Sequence, residues 1–368
     1  MLPVVFAINN TYVKQLATVI TSIIKNTKQT PDYSFNILSS DISSENIDIL
    51  SKYIKKISHN QSEINFIDMK ASLKQFDLEA FMSRRDNYKY ISIETYFRFF
   101  IPELFPKQNK ILYLDADILV LDDLHSLFNE NIDDYYAGVI QDTFMEVFVD
   151  NDDIKTNTTP QRTYKDYFKN KLHKKNTHYF NAGVLLMNLA KIREDNVIQK
   201  LWNFAIKESP LEYQDQDVLN AVLESNIKYV DYKWNTLKDL NILIPQIKDS
   251  DKRQHLLKTY SYPGIFHYVG ANKPWVLHDN YNYNFIGKWW KYYRSTPYFK
   301  REELSILKHA KWLRDTKKSK YYITFRILNF ILMDIFEKNK TFHLQLLQFI
   351  KFNKRLKEPK AYKKLTSI

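Results

Sequence analysis

Val4-Val5-Phe6-Ala7-Ile8 is an unbroken apolar run, too short and too β-branched for a helix, and it predicts a buried strand. Over residues 12–25 the apolar positions Leu16, Val19, Ile20 and Ile23 recur at helical spacing. Ser34-Phe35-Asn36-Ile37-Leu38 alternates like a strand, 47–54 has a helical period, and Ile64-Asn65-Phe66-Ile67 alternates again. This β-α-β-α-β opening is the order that builds a parallel sheet with helices on its faces. Farther along, 91–104 predicts a helix, 110–114 a strand ending in Asp115-Ala116-Asp117, and 136–140 another strand. Residues 151–176, polar and rich in Thr, Asn, Asp and Lys, read as a long surface loop or flap rather than core. Core character returns over 180–188, and helices follow over 192–206 and 214–223. Past Trp289 the pattern changes. Pro297 and Tyr298 mark a break, and 302–313, 323–336 and 342–352 read as amphipathic helices.

The expected organisation is thus an α/β domain over 1–285 and a helical C-terminal region over 286–368. Charge sharpens the division. The chain has 54 Lys/Arg and 42 Asp/Glu; 20 and 6 of these lie from Lys291 onward, which leaves 34 and 36 before it. The whole net charge of +12 therefore belongs to the tail, whose lysines flank apolar and aromatic segments. That composition suits a peripheral contact with an anionic membrane surface, with a helical appendage carrying a solvated basic face as the plainer reading. No nucleic-acid-binding motif accompanies it. The N-terminus lacks the basic and apolar regions of a signal peptide, and no stretch has the roughly 18 to 20 apolar residues of a spanning helix, so the chain is expected not to cross a membrane. The absence of cysteine excludes disulfide scaffolds, thiolate metal sites and cysteine nucleophiles.

The five glycines, at 138, 183, 264, 270 and 287, form neither G-x-G-x-x-G nor a P-loop. A nucleotide diphosphate would need another group to neutralise it. Asp115 and Asp117, at i and i+2 of an extended segment, project to one side at the carboxyl end of a strand, with the small Ala116 between them. Their hard oxygens suit Mn²⁺ or Mg²⁺ bridging to phosphate, although acidic pairs at strand ends are often merely solvated. His267 closes the apolar stretch before Tyr268-Val269-Gly270-Ala271-Asn272-Lys273-Pro274-Trp275. It is a candidate third ligand that tilts the choice toward Mn²⁺, with Gly270 allowing close backbone approach and Lys273 a point charge. A core histidine followed by a tight turn is the alternative. In Tyr213-Gln214-Asp215-Gln216-Asp217, Asp215 and Gln216 can hold sugar hydroxyls, while Asp217 better fits a helix N-terminus. Asn181-Ala182-Gly183 either exposes backbone to a ligand or leads tightly into a buried strand.

Taken in order, these segments, together with Val4-Val5-Phe6-Ala7 and Tyr12, closely resemble family 8 glycosyltransferases over about residues 3 to 280. The resemblance implies a GT-A fold, a mixed and mostly parallel sheet flanked by helices, and retaining transfer of a hexose, galactose or glucose, from a UDP-sugar with Mn²⁺. By motif position it implies Asp115, Asp117 and His267 as metal ligands and Gly270 and Lys273 at the diphosphate. Ala7, Asn9 and Tyr12 fall where the family holds uridine, and Arg98 at a donor-contacting arginine. Asn181, Ala182, Asp215 and Gln216 fall at the transferred sugar, with Ala116 beside the donor and Asp142 at a position near donor and acceptor. A glycan or lipid-linked glycan acceptor on the cytoplasmic face of the membrane follows from the same resemblance. Two features depart from it. Asn9 and Asn10 stand where the lipopolysaccharide enzymes commonly carry acidic residues, and the 144–178 segment matches poorly. A non-catalytic UDP-sugar-binding scaffold and a nucleotidyltransferase of similar build are the alternatives.

Overall fold

A computed structural model describes residues 1–75, 93–270, 273–275 and 283–301. The expected tail helices over 302–313, 323–336 and 342–352 lie outside the described residues, as do 91 and 92 of the expected helix 91–104.

The opening forms as its periodicity predicts. Strand β1 (Leu2–Ala7) leads through a short 3₁₀ turn into helix α1 (Val13–Asn26), followed by β2 (Tyr33–Ser39), α2 (Ser44–Ile57) and β3 (Glu63–Asp68). Leu16, Val19, Ile20 and Ile23 of α1 are buried, and the Ser43 hydroxyl caps α2 by accepting from Asn46 N. The chain then crosses to the other side of β1 and lays down β4 (Lys110–Leu114), so β1 has β2 on one side and β4 on the other. In an open α/β sheet that reversal opens a crevice at the carboxyl ends of the two strands. Ala7 and Asp115 sit there.

The remaining strands are β5 (Ile118–Val120), β6 (Ala137–Gln141), β7 (Phe180–Asn188), β8 (Ile227–Tyr229), β9 (Thr236–Leu237) and β10 (Ile265–His267). Seven strands make the main sheet in the order β3-β2-β1-β4-β7-β6-β8, and β7 alone runs antiparallel to both its neighbours. A smaller sheet, β5-β10-β9, sets His267 opposite Ile118. Alternation along the strands fills both faces of the main sheet. Val4, Phe6, Leu112 and Leu114 enter one buried cluster, and Val5, Ile111 and Tyr113 the other.

Three expectations are corrected. The described part of 91–104 is a 3₁₀ run, Ile93–Phe100, followed by one α turn, Ile101–Leu104. The helix expected over 192–206 is two, Leu189–Glu194 and Val197–Glu208, separated by Asn196 in the left-handed region at φ 51°. Residues 151–176 are not simply surface: Tyr164, Tyr167, Phe168 and Leu172 are buried, and their aromatic rings pack around Tyr179 and Tyr213. The segment's polar composition hid an aromatic underside.

Near the C-terminal end, helix Tyr283–Tyr293 buries Phe285, Ile286, Trp289 and Tyr293, and Asn26 of α1 donates to the Tyr292 hydroxyl at 2.7 Å. One compact unit runs Met1–Phe299. The expected boundary at 285/286 falls within this helix. No helix among the described residues is long and apolar enough to cross a membrane.

Candidate active site

Strand alternation places Tyr113 and Asp115 on one side of β4, and the Tyr113 hydroxyl donates to Asp115 Oδ1 at 2.8 Å. The ladder to β7 continues past the strand end, with Asp115 N donating to Gly183 O at 2.8 Å. One turn on, Asp117 lies against the end of β10. His267 Nε2 is 3.2 Å from Asp117 Oδ1 and 3.9 Å from Asp115 Oδ2, and the Lys273 ammonium donates to Asp117 Oδ2. Each of Asp115, Asp117 and His267 offers a ligand atom within 4.8 Å of the others. Two carboxylates and an imidazole are a donor set for a divalent cation such as Mn²⁺ or Mg²⁺. The cradle is kept open by Gly183. A Cβ there would lie 2.9 Å from both Asp115 Oδ2 and His267 Nδ1. Burial works against the Asp117 charge, but Lys273 and His267 outweigh it and hold its pKa well below the carboxylate range.

Arg98 joins this cluster to a cavity of about 230 Å³ beside it. Its guanidinium is buried, donates to Asp115 Oδ1 at 3.0 Å and to the Ala182 carbonyl, pairs with Asp215 Oδ2 at 3.2 Å, and lies over the Tyr113 ring. Burial opposes the Arg98 charge, yet Asp215, Tyr113 and Asp115 keep its pKa above the ordinary value. Burial pushes the Asp215 carboxyl up to about 7 despite Arg98. Asp215 and Gln216 open helix α3 (Asp215–Leu223), and Gln214 just before them is held at φ 54° by Tyr96 and by the Leu211 carbonyl. Gln216 Oε1 accepts from Ala182 N at 2.9 Å, and its Nε2 faces Asp142 Oδ2 at 3.4 Å. Asp142 caps helix Thr143–Val149 through Phe144 N and Met145 N, and Asn181 Nδ2 reaches its other oxygen at 3.3 Å.

A model of the family described as "Glycosyl transferase family 8" matches residues 3–278. This chain belongs to glycosyl transferase family 8. A putative glycosyltransferase of Haemophilus influenzae is 30% identical over 273 residues, 74% of this chain and 72% of that protein. The lipopolysaccharide 1,2-glucosyltransferase of Escherichia coli is 26% identical over 298 residues, 80% of this chain and 76% of its own. Among solved structures, the galactosyltransferase LgtC in complex with donor and acceptor sugar analogues superposes with TM-score 0.64 at 24% identity, covering 80% of this chain and 96% of LgtC. The bifunctional glycosyltransferase WbbM shares the fold at TM-score 0.70 and 23% identity over 81% of this chain, which spans 50% of that protein. The fold is therefore GT-A, the expected mostly parallel sheet with flanking helices.

In this family 8 chain the expected metal-side residues Asp115, Ala116, Asp117, His267 and Lys273 come together, and Arg98, Asn181, Ala182, Asp215, Gln216 and Asp142 adjoin them. Ala7 and Tyr12 lie at the end of β1. Tyr12 is edge-on to Trp275 at 6.0 Å, and burial, with Asp117 and Asp115 near, raises its pKa to about 12. Asn9 Oδ1 is engaged locally, accepting from Thr11 N and Oγ1. Gly270 takes φ +72°, and the Lys238 ammonium approaches within 4.0 Å of where its Cβ would be. Sequence reasoning passed over Tyr113, Gln214 and Asn235. Strand alternation alone pairs Tyr113 with Asp115; nothing local marks Asn235, whose partner lies 32 positions away.

Asp217 belongs to the scaffold rather than to a simple helix cap. It is buried and accepts from Tyr167 and Tyr179 hydroxyls at 2.8 and 2.6 Å and from Tyr213 N at 2.7 Å. Burial nevertheless pushes its pKa up from 3.8 to about 6. The folded state then holds a proton that the unfolded chain releases, so the associated stability is full below about pH 4 and is lost as pH rises through about 6. That shift corresponds to about 3 kcal/mol. Urea unfolding across this range should show the decline in the wild type and a flatter profile in Asp217→Asn; parallel profiles would contradict it.

Proposed function

We propose that this chain is a retaining, Mn²⁺-dependent hexosyltransferase that moves galactose or glucose from a UDP-sugar to a cell-surface glycan. The observation that carries the proposal is the joining, through buried Arg98, of the Asp115, Asp117 and His267 cluster to the cavity holding Asp215 and Gln216. The names of the lipopolysaccharide glucosyltransferase and the galactosyltransferase LgtC support the substrate class.

In this reading Asp115, Asp117 and His267 would hold the cation, which would supply positive charge against the negative charge developing on the departing diphosphate. Lys273 and the Gly270 backbone lie along the diphosphate, and Ala7, Asn9 and Tyr12 border the uridine. Asn181, Ala182, Asp215 and Gln216 border the transferred sugar, and Asp142 the side from which the acceptor arrives. Arg98 keeps the leaving-group end and the sugar end in fixed relation, and this orientation lowers the barrier. Retention needs either a protein nucleophile or attack from the leaving-group face. Gln216 Oε1 is committed to Ala182 N and Asp215 to Arg98, which favours same-face attack assisted by a diphosphate oxygen. A trapped covalent sugar on Asp215 or Asp142, found by mass spectrometry, would overturn that mechanism.

The deciding experiment follows UDP release from UDP-galactose, UDP-glucose and UDP-N-acetylglucosamine by the purified protein, with Mn²⁺ or with EDTA. Release from one hexose donor, abolished by EDTA, is the expected result. Calorimetric binding of UDP without release from any donor would favour the scaffold, and neither release nor binding the nucleotidyltransferase. The proposal extends to a lipid-linked glycan acceptor, with the basic region 286–368 resting on the anionic inner face of the membrane.

A further inference from the structure

We infer that Asn181 and Asn235 form a two-amide relay that fixes which ring nitrogen of His267 is available to a cation. Asn235 is thereby a positioning residue for the metal site, and the inference rests on the metal reading given above.

One group in this network has a polarity that cannot invert. The Gly183 backbone N–H donates to an Asn181 side-chain atom at 3.0 Å, so that atom is the carbonyl Oδ1. The Asn235 atom facing it at 2.8 Å must donate, and is therefore Nδ2. This turns Asn235 Oδ1 toward His267 Nδ1 at 2.9 Å, and an amide oxygen only accepts. Nδ1 carries the hydrogen. With Nδ1 committed to Asn235, Nε2, the atom facing Asp117 and Asp115, is the nitrogen a cation would take. Asn181, Asn235 and His267 are all buried, which shields the relay from exchange with bulk solvent. Its far end is anchored as well, through Asn181 Nδ2 to Asp142 at the start of helix Thr143–Val149.

Local folding puts Asn235 in place. It ends the 3₁₀ turn Tyr232–Asn235, just before β9, whose Leu237 pairs with His267 in parallel register. Ligating histidines are commonly oriented through the ring nitrogen that does not touch the metal, and loss of that partner weakens binding about 10- to 100-fold. A consequence for Asn181 follows. Both lone pairs of its oxygen are used, by Gly183 N and Asn235 Nδ2, so it can offer a sugar only an N–H.

The test uses the full-length protein and two readouts. Mn²⁺ alone is titrated into wild type, His267→Ala, Asn235→Leu and Asn235→Asp, with free ion followed by electron paramagnetic resonance. The hydrogen on the His267 ring is located from long-range ¹H–¹⁵N spectra of protein loaded with diamagnetic Mg²⁺. The relay predicts the Nδ1–H tautomer in wild type and in Asn235→Asp, whose carboxylate still accepts. In Asn235→Leu it predicts a shift toward Nε2–H and Mn²⁺ affinity about 10- to 100-fold weaker. Equal Mn²⁺ binding by wild type and His267→Ala would overturn the metal reading, and the tautomer would still decide the relay. An Nε2–H tautomer in wild type would overturn the relay, as would Asn235→Leu matching wild type in both readouts. Should Asn235→Leu not fold, the wild-type and Asn235→Asp tautomers decide.

Discussion

Replacing Asp117 with alanine should lower kcat/KM for Mn²⁺-dependent transfer by about 10³-fold or more, the scale of losing a principal electrostatic group at a leaving site. The expectation follows from what converges on this carboxylate. His267 Nε2 approaches one oxygen and the Lys273 ammonium the other, so a single side chain both donates to the cation cluster and orders the lysine assigned to the diphosphate. Lys273 and His267 hold its pKa below the usual range, which favours the charged form. Donor turnover with and without Mn²⁺ measures the activity, and Mn²⁺ titration measures the site apart from catalysis. A loss under tenfold with unchanged Mn²⁺ affinity would remove Asp117 from the machinery.

Gly183→Ala should be nearly as damaging, although it adds one methyl group and removes no polar atom. The new Cβ would fall 2.9 Å from Asp115 Oδ2 and from His267 Nδ1, and closer still to His267 Cε1. All three positions are pinned. His267 is tied to Asn235, Asp115 to Tyr113 and Arg98, and Gly183 to the ladder through its carbonyl. Relief therefore requires His267 to swing away from the carboxylates. Overpacking of this kind costs about 1–3 kcal/mol of stability. The misplaced ligand should cost about 10²-fold in transfer. Thermal unfolding separates the two effects. A variant that melts normally and retains full activity would show that the cradle is slack.

Much of this site is written in short stretches of sequence. The apolar runs of β1 and β4 mark buried strands because both faces of the sheet are covered, and Asp115-Ala116-Asp117 declares itself as a break in that apolarity at a strand end. His267 is legible in the same way, as the residue that closes β10. Asn235 and Tyr113 act through partners supplied by other elements or by strand geometry, and a window of sequence holds only half of each such interaction. The break at Asn196 escaped because apolar spacing continues across it while one backbone residue turns left-handed. In 151–176 the error came from composition. Tyr164, Tyr167 and Phe168 are too few and too irregular to set a period, yet Tyr167 holds Asp217 directly and Phe168 stacks on Tyr179, which holds it too.

The insertion of β7 against the direction of its neighbours has a further consequence. The hydrogen bond from Asp115 N to Gly183 O joins the carboxylate end of one strand to the beginning of another, so their spacing is set by ladder geometry instead of loop length. Segments outside the ladder can then lengthen, shorten or be grafted from a relative without disturbing that distance. For laboratory evolution, the exposed positions of the poorly matching 144–178 stretch are the ones to randomise, with Tyr164, Tyr167, Phe168 and Leu172 kept, whereas a single insertion inside 180–188 would turn the side chains beyond it to the opposite face of the sheet.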